Sequence, residues 1–387
     1  MKLAARMSRL GTESAFEVLA RARALEAKGI DVVHLEIGEP DFDTPQNICD
    51  AATAAINKGY THYTTSQGIP ELRAEIAKQL GSSRGVSFDP DRIVVTTGAK
   101  PIMFYSILAL LGEGDEAIHQ DPLFPIYESM IKFSGATAVP IPLREELGFR
   151  MDIDELRSKV TSRTKMIMIN SPQNPSGGVM EEEDIRALAE IAREHDIIVL
   201  SDEVYDHIMY EGENYSIASQ PGMLDRTILL NGFSKTYAMT GWRMGYGFFP
   251  SDMVAHIVRL VTNSVSCAPP FIQQACIEAL RGPQDSVPKM VAEFKKRRDL
   301  IVDGLNEIPG ISCHRPKGAF YVFPNIKKLG MSANKFSDHL LNEGGVATLS
   351  GTAFGANGEG YLRLSYATSQ ENIKKALEKI KTVVANL

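Results

Sequence analysis

Six short apolar runs alternate with helix-like segments through the middle of the chain, and this alternation limits the possible folds more than any other feature. The runs lie at residues 92–97, 116–120, 165–170, 197–202, 227–233 and 246–249. Between the third and fourth runs, an acidic start at 181–184 precedes apolar residues at helical spacing up to Ala192. Strands that alternate with helices form parallel sheets with both faces covered. The sequence therefore predicts an α/β fold with a mainly parallel sheet.

The pattern changes after about residue 283. Apolar residues spaced along one face between 290 and 305 predict a long amphipathic helix, with short strands near 318–324 and 361–367 and a closing helix from Gln370. The first 45 residues are too few to form a core of their own. We therefore predict an N-terminal segment, 1–45, that packs with the small domain, a large domain, 46–283, and a smaller α+β domain, 284–387.

Composition excludes several classes of protein. The 387 residues are 44% hydrophobic and 23% charged, as in globular proteins, and the net charge of -7 argues against a broad nucleic-acid surface. The N-terminus lacks the apolar core of a signal peptide, and the apolar run at 102–111 is too short to span a membrane. The four cysteines lie far apart, without metal-site spacing. We expect a cytoplasmic protein with no metal, no membrane and no nucleic-acid partner.

Polar clusters follow four of the predicted strands. They are TTGAKP at 96–101, NSPQNPSG at 170–177, SDEVYDH at 201–207 and GFSKT at 232–236. In the first cluster, Gly98, Ala99 and Lys100 present backbone N–H groups at the start of a helix, which is a usual anion site. Ligands of open α/β sheets bind beyond the carboxyl ends of the strands. We therefore expect all four clusters to face one crevice.

Each cluster taken alone has an ordinary structural explanation. Asn174 fits a turn between two prolines, Asp202 fits a helix cap, and most lysines lie on the surface. Several known motifs are absent: Ser234 stands where a P-loop needs glycine before its lysine, and Thr236 breaks the GxSxG pattern of a serine hydrolase. Neither a dinucleotide-binding GxGxxG nor HExxH is found. The four clusters together need another explanation.

Six motifs together resemble one known family. The segments SPQNPSG, SDEVY, SKTYAMTGWRMGY and YLRLSYA are similar to those of the class I/II aminotransferases, which are pyridoxal 5'-phosphate (PLP) enzymes of fold type I. The segments GEPDFDTP and YTTSQGIPELR resemble the bacterial gamma subgroup, which includes aspartate aminotransferases. The resemblance covers nearly the whole chain in order. It implies a fold type I PLP-dependent transferase that acts on amino acids and 2-oxo acids.

The resemblance assigns a role to each cluster. It implies that Lys235 bonds to the aldehyde of PLP and moves the substrate proton, and that Asp202 pairs with the pyridine nitrogen. Asn174 and Tyr205 are expected to hydrogen-bond the phenolic oxygen of PLP. The other matching positions are Gly98, Ala99, Lys100, Ser234 and Arg243 for the phosphate, Phe124 for ring stacking, Tyr63 for a phosphate contact across a homodimer interface, and Gly38, Asn174 and Arg363 for the substrate α-carboxylate.

The substrate side chain is the least constrained feature. In the gamma subgroup the lysine at the position of Lys100 can bind a distal carboxylate, which favours aspartate or glutamate with 2-oxoglutarate in a ping-pong reaction. Glu13 would repel a dicarboxylate if it faced inward, and Phe124 leaves room for an aromatic donor. Aromatic, alanine or broad-specificity transamination stays open, as does a fold type I lyase. The sensing domain of a bacterial regulator needs a DNA-binding module before the family region, which begins within the first 40 residues.

Overall fold

Residues 3 to 387 are described by the computed structural model and form an alternating series of helices and strands. The strands are β1 (Val33–His34), β2 (Ile93–Thr96), β3 (Glu116–Asp121), β4 (Thr137–Pro142), β5 (Thr164–Asn170), β6 (Ile198–Asp202), β7 (Thr227–Gly232), β8 (Gly245–Phe248), β9 (Tyr321–Val322), β10 (Val346–Ala347), β11 (Leu349–Ser350) and β12 (Leu362–Ser365). The α-helices are α1 (Ala15–Glu26), α2 (Gln46–Asn57), α3 (Pro70–Arg84), α4 (Lys100–Leu110), α5 (Ile126–Ser134), α6 (Ile153–Lys159), α7 (Glu182–Glu194), α8 (Ser251–Ser264), α9 (Pro270–Arg281), α10 (Ser286–Asn306), α11 (Ala333–Gly344) and α12 (Gln370–Ala385). Within these residues, each helix is too short or too polar to cross a membrane.

A seven-stranded sheet forms the centre of the fold, in the order β2-β8-β7-β6-β5-β3-β4. Adjacent strands of this sheet are parallel except at β8, which runs antiparallel to both β2 and β7. The predicted α/β fold with a mainly parallel sheet is therefore confirmed. Each of the six predicted apolar runs overlaps one strand of this sheet. Of the seven strands of this sheet, only β4 was not predicted; it is an edge strand that contains Pro140 and Pro142. Proline is tolerated at an edge, where its missing N–H leaves no partner unsatisfied.

Both faces of the central sheet are buried, which explains why its strands are continuous apolar runs. In β5, Met166 and Met168 join one core cluster, whereas Ile167 and Ile169 join another. This alternation follows from the two-residue period of a strand. Helix α7 covers the second cluster with Ile185 and its neighbours at helical spacing. The sheet is thus held between two layers of helices, and its strand ends are rigidly placed.

The C-terminal elements form two smaller sheets. Strands β11, β12 and β9 form an antiparallel sheet, and β1 pairs in parallel with β10 through Val33 and Val346. Helix α10 buries Phe294, Ile301 and Leu305 on the face that the sequence predicted. The pairing of β1 with β10 brings the N-terminal segment against these C-terminal elements. The domain boundaries given above stay a prediction.

Candidate active site

The carboxyl ends of β5, β6 and β7 meet beside a cavity of about 920 Å³. Asp202 ends β6 next to Asn170 of β5, and Lys235 follows β7 by three residues. Eleven of the thirteen predicted site residues line this cavity, namely Gly38, Ala99, Lys100, Phe124, Asn174, Asp202, Tyr205, Ser234, Lys235, Arg243 and Arg363. The four polar clusters therefore converge on one crevice, as the sequence predicted.

Lys235 carries an amine that is suited to nucleophilic chemistry. Its Nζ donates a hydrogen bond of 2.5 Å to the carbonyl oxygen of Gly38. Burial, together with the positive charges of Arg363 and Arg243, lowers the pKa of Lys235 to about 8, although the Glu39 carboxylate acts in the opposite direction. About one-tenth of the Lys235 amines are therefore neutral at pH 7, compared with fewer than about one in a thousand for an ordinary lysine.

Asp202 is a buried carboxylate with a shifted pKa. It is 8% exposed, and its Oδ2 accepts a hydrogen bond of 2.6 Å from the Tyr127 hydroxyl. The backbone N–H of Val204 donates to Oδ1 at 3.2 Å. Burial raises the pKa of Asp202 to about 6, against the effect of both hydrogen bonds. Asp202 is therefore mostly ionised at neutral pH and can hold a cationic N–H group. Tyr127 was not among the residues predicted from the sequence.

Arg363 is a buried guanidinium in contact with two aromatic rings. It is 3% exposed, and its Cζ lies 4.7 and 5.0 Å from the ring centroids of Tyr321 and Phe354. Its Nη2 donates to the Glu36 carbonyl, and its Nη1 approaches the Asn174 Oδ1 at 3.4 Å. Since the fork is held in one plane, it can receive a carboxylate in a defined orientation.

Tyr321 links three of the predicted site residues, although it was predicted only as part of a strand. Its hydroxyl lies 2.9 Å from the hydroxyl of Tyr205. A Cβ at Gly38 would overlap the Tyr321 hydroxyl, so the close approach of this backbone requires glycine. The ring also stacks on Arg363. Its link to the site comes from the pairing of β9 with β12, the strand that carries Arg363, and such a pairing is not visible in the sequence.

An anion site lies at the start of α4. Gly98 has a φ of +91°, and a Cβ at this position would overlap the guanidinium of Arg243. Ala99 is the N-cap residue and Lys100 begins the helix, so their backbone N–H groups lack helical acceptors. The Gly98 N–H, which the sequence assigned to the same anion site, donates instead to the Thr96 carbonyl oxygen at 2.9 Å. Arg243 itself has a φ of +55°, and such strained backbone is often found at functional sites. Ser234 lies in the same cavity wall. A helix N-terminus with an arginine fork is suited to a phosphate.

Two predicted features have positions that the sequence could not give. Tyr63 is 87% exposed and does not line the cavity of its own chain. Glu13 faces inward, lines the cavity and forms an ion pair with Lys100. The Lys100 Nζ also lies 5.2 Å from the centroid of the Phe124 ring. Lys100 thus already has a carboxylate partner within the chain.

Comparison with known proteins decides the family. The sequence pattern of the family described as "Aminotransferase class I and II" matches residues 30–380. The chain belongs to this aminotransferase family. It is similar to an aspartate aminotransferase of Pyrococcus abyssi, 43% identical over 92% of each chain. It is also similar to aromatic-amino-acid aminotransferase 2 of Thermococcus litoralis, 41% identical over 92% of this chain and 93% of the relative. The structure matches that of the Thermus thermophilus aspartate aminotransferase with maleate, with a TM-score of 0.95, 37% identity and coverage of 99% and 100%.

This aminotransferase is therefore a PLP-dependent enzyme of fold type I, which confirms the predicted family, fold class and cofactor. The residues present fit PLP. The overlap that a Cβ at Gly98 would have with Arg243 shows a tight cradle at a helix N-terminus, which matches the phosphate of the cofactor. The lowered pKa of Lys235 matches a nucleophilic amine, and the buried carboxylate of Asp202 matches a pyridine nitrogen.

Proposed function

We propose that this aminotransferase moves the amino group of aspartate or glutamate to a 2-oxo acid such as 2-oxoglutarate by a ping-pong mechanism. One observation carries the proposal: Lys100 lines the cavity that contains the Arg363 fork. With Lys235 assigned to the chemistry and Arg243 to the phosphate, Arg363 and Lys100 can bind the two carboxylates of such substrates. The name of the Pyrococcus abyssi relative, aspartate aminotransferase, agrees with this choice.

We also propose how the chain holds the cofactor. When bound, PLP supplies an electron-withdrawing ring that stabilises negative charge on the α-carbon of a substrate. Asp202 holds the pyridine nitrogen, and Asn174 and Tyr205 hydrogen-bond the phenolic oxygen. Phe124 packs on the ring. The phosphate is held by Ser234, Arg243 and the backbone N–H groups of Ala99 and Lys100, whereas the Gly98 N–H already donates to the Thr96 carbonyl oxygen at 2.9 Å. Tyr127 keeps Asp202 oriented through its 2.6 Å hydrogen bond.

The substrate is bound and activated by two further groups. The Arg363 fork receives the α-carboxylate, with help from Asn174 and the Gly38 backbone. Its buried Nε has no partner among residues 3–387, so the guanidinium has hydrogen-bonding capacity to spare. The Lys235 amine is the nucleophile and moves the proton at the substrate α-carbon. Its lowered pKa supports this role, because a general base works best with a pKa near the operating pH.

We propose a homodimer in which Tyr63 of each chain reaches the phosphate site of its partner. The support is the 87% exposure of Tyr63, with Ile56 and Tyr60 close by in sequence and also exposed. Exposed apolar groups in one region are typical of an interface.

The homodimer is tested with a mixture of Lys235→Ala and Tyr63→Ala chains that are allowed to exchange subunits. Each is expected to be weakly active alone, and the mixture is expected to gain activity because one of its two sites is then intact. No gain after proven exchange would contradict the shared site. The cytoplasmic location stays a prediction.

The substrate proposal is tested with Lys100→Ala. Since an ion pair of a half-exposed lysine changes an equilibrium by a factor of about two to five, and the substitution also leaves Glu13 unpaired in the cavity, the KM for aspartate is expected to rise about three- to tenfold. The KM for phenylalanine is expected to change less than about twofold, because its side chain has no distal charge. Equal losses for both donors would overturn the proposal. Incubation with a single amino acid separates transamination from lyase activity. Transamination stops after one 2-oxo acid has formed per active site, whereas a lyase continues to turn over.

An aromatic donor is the second candidate. It is favoured by Phe16 and Phe124 in the cavity wall and by the pairing of Lys100 with Glu13, which neutralises both of these charges. The Thermococcus litoralis relative carries the name of an aromatic-amino-acid aminotransferase. Single-turnover rates with phenylalanine and aspartate rank the two candidates directly.

A further inference from the structure

We propose that Glu13 is a specificity-determining residue that acts as a built-in substitute for a substrate's distal carboxylate. A substrate without a distal charge leaves the Glu13–Lys100 ion pair intact, whereas a dicarboxylate displaces Glu13 and takes Lys100 for itself. The inference rests on the proposed function, because it assumes that the cavity receives amino and 2-oxo acids.

The two charges lie where the substrate side chain has to be accommodated. Glu13 and Lys100 both line the cavity that contains Lys235 and Arg363. The side chain of Glu13 is 17% exposed, so its carboxylate faces the protein rather than the solvent. The Lys100 Nζ lies 5.2 Å from the centroid of the Phe124 ring, so the ion pair adjoins an apolar surface. One wall therefore offers an aromatic face and a neutralised cation side by side.

The backbone around Glu13 is anchored at both ends. On one side, the Gly11 N–H donates to the Ser129 Oγ of α5 at 2.8 Å. On the other side, α1 buries Ala22 against Leu341 and Ala347. Because only three residues separate Gly11 from the start of α1, the backbone holds Glu13 near the cavity wall. Rotation of the side chain is then sufficient to release Lys100, without movement of either anchor.

The strength of the pair suits a reversible exchange. Lys100 has a side-chain exposure of 47%, and ion pairs this exposed change an equilibrium only by a factor of about two to five. A dicarboxylate can therefore displace Glu13 at a small loss of affinity. When the substrate side chain is apolar, Glu13 stays paired with Lys100. The Lys100 cation is then not left unpaired beside an apolar group, where the loss of its hydration would cost free energy.

This arrangement fits the demands of a ping-pong reaction. The same cavity receives two partners in succession, and these can differ in side-chain charge. A lysine alone favours dicarboxylates, and a neutral wall alone favours apolar side chains. The Glu13–Lys100 pair provides both states with no change in the reacting groups.

The test measures binding by the PLP-loaded enzyme, independently of turnover. Isothermal titration calorimetry gives the Kd of maleate, a dicarboxylate, and of 3-phenylpropionate, an aromatic monocarboxylate. In Glu13→Gln, maleate is expected to bind about three- to tenfold more tightly, because competition for Lys100 and direct repulsion are both removed. The Kd of 3-phenylpropionate is expected to stay within about twofold or to rise. Glu17→Gln is the matched control: it removes the same charge from the same region, but Glu17 is exposed and does not line the cavity.

The inference is overturned if maleate binds Glu13→Gln with unchanged or lower affinity, if both ligands gain equally, or if Glu17→Gln reproduces the gain. Thermal unfolding of each variant checks folding, and Glu13→Ala serves in place of Glu13→Gln if the latter does not fold. Failure of the proposed function has a different signature, since wild-type enzyme would then form no 2-oxo acid from any amino acid. If the wild-type enzyme transaminates but Glu13→Gln shows no selective gain in maleate affinity, only the role of Glu13 is overturned.

Discussion

Tyr127→Phe is expected to shift the pH dependence of PLP binding through Asp202. The substitution keeps the ring and removes the hydroxyl that donates to the Asp202 Oδ2 at 2.6 Å. Both side chains are nearly buried, at 3% and 8% exposure, so water cannot readily replace this donor. A hydrogen bond to a charged group contributes about 1.5 to 3 kcal/mol. Since 1.36 kcal/mol corresponds to one pH unit, the pKa of Asp202 is expected to rise by about 1 to 2.

The sign of the effect follows from which form of Asp202 holds the pyridine nitrogen. The ionised carboxylate holds it, and the pKa of Asp202 is already raised to about 6. PLP affinity of the wild-type apoprotein is therefore expected to fall as the pH drops through about 6. In Tyr127→Phe the same fall is expected about 1 to 2 pH units higher, so that affinity is already reduced at neutral pH.

The assay is the Kd of PLP for apoprotein between pH 5 and 9, followed by absorbance of the bound cofactor. Tyr105→Phe is the matched control, because Tyr105 is also buried but its hydroxyl contacts the neutral Ser264 Oγ. The control is expected to follow the wild-type pH profile. Identical profiles for Tyr127→Phe and wild type would refute the reasoning that Tyr127 keeps Asp202 ionised.

Two further predictions concern the anion site and the buried ion pairs of Arg84. Gly98→Ala is expected to weaken PLP binding at least about tenfold, because the new Cβ overlaps the Arg243 guanidinium; Gly59→Ala, which shares the positive φ but has open space around it, is expected to leave the Kd of PLP unchanged. Arg84→Met is expected to lower the free energy of unfolding by about 3 to 5 kcal/mol in urea titrations, since it leaves two buried carboxylates unpaired. Arg186→Met removes an exposed ion pair and is expected to change the free energy of unfolding by less than about 0.5 kcal/mol. Equal losses of stability in the two variants would contradict the argument.

The fold was predictable where burial constrains the pattern of apolar residues in the sequence. A strand buried on both faces, such as β5, must be apolar throughout, and a helix on its surface, such as α7, must repeat its apolar face every three or four residues. The edge strand β4 escaped prediction because an edge tolerates prolines and exposure, so its residues carry no such constraint. The two-residue strands β10 and β11 are defined by their pairing partners, which sequence alone does not show.

The site was predictable in its residues but not in its connections. Lys235, Asp202 and Arg363 were named from motifs, and the cavity brings them together. The contact between Tyr127 and Asp202 joins residues 75 positions apart, and that between Glu13 and Lys100 joins residues 87 apart. Such partners depend on how the elements pack, and a tyrosine or glutamate in a single sequence gives no sign of its distant neighbour.

The central claim is that Lys235 is the residue that bonds to PLP and performs the chemistry. Reduction of the loaded enzyme with sodium borohydride, followed by peptide mass spectrometry, locates the bound cofactor directly. The label is expected on Lys235, and Lys235→Ala is expected to bind PLP without covalent attachment and to show almost no turnover. A label on Lys100 or any other lysine, or near-normal turnover of Lys235→Ala, would contradict it.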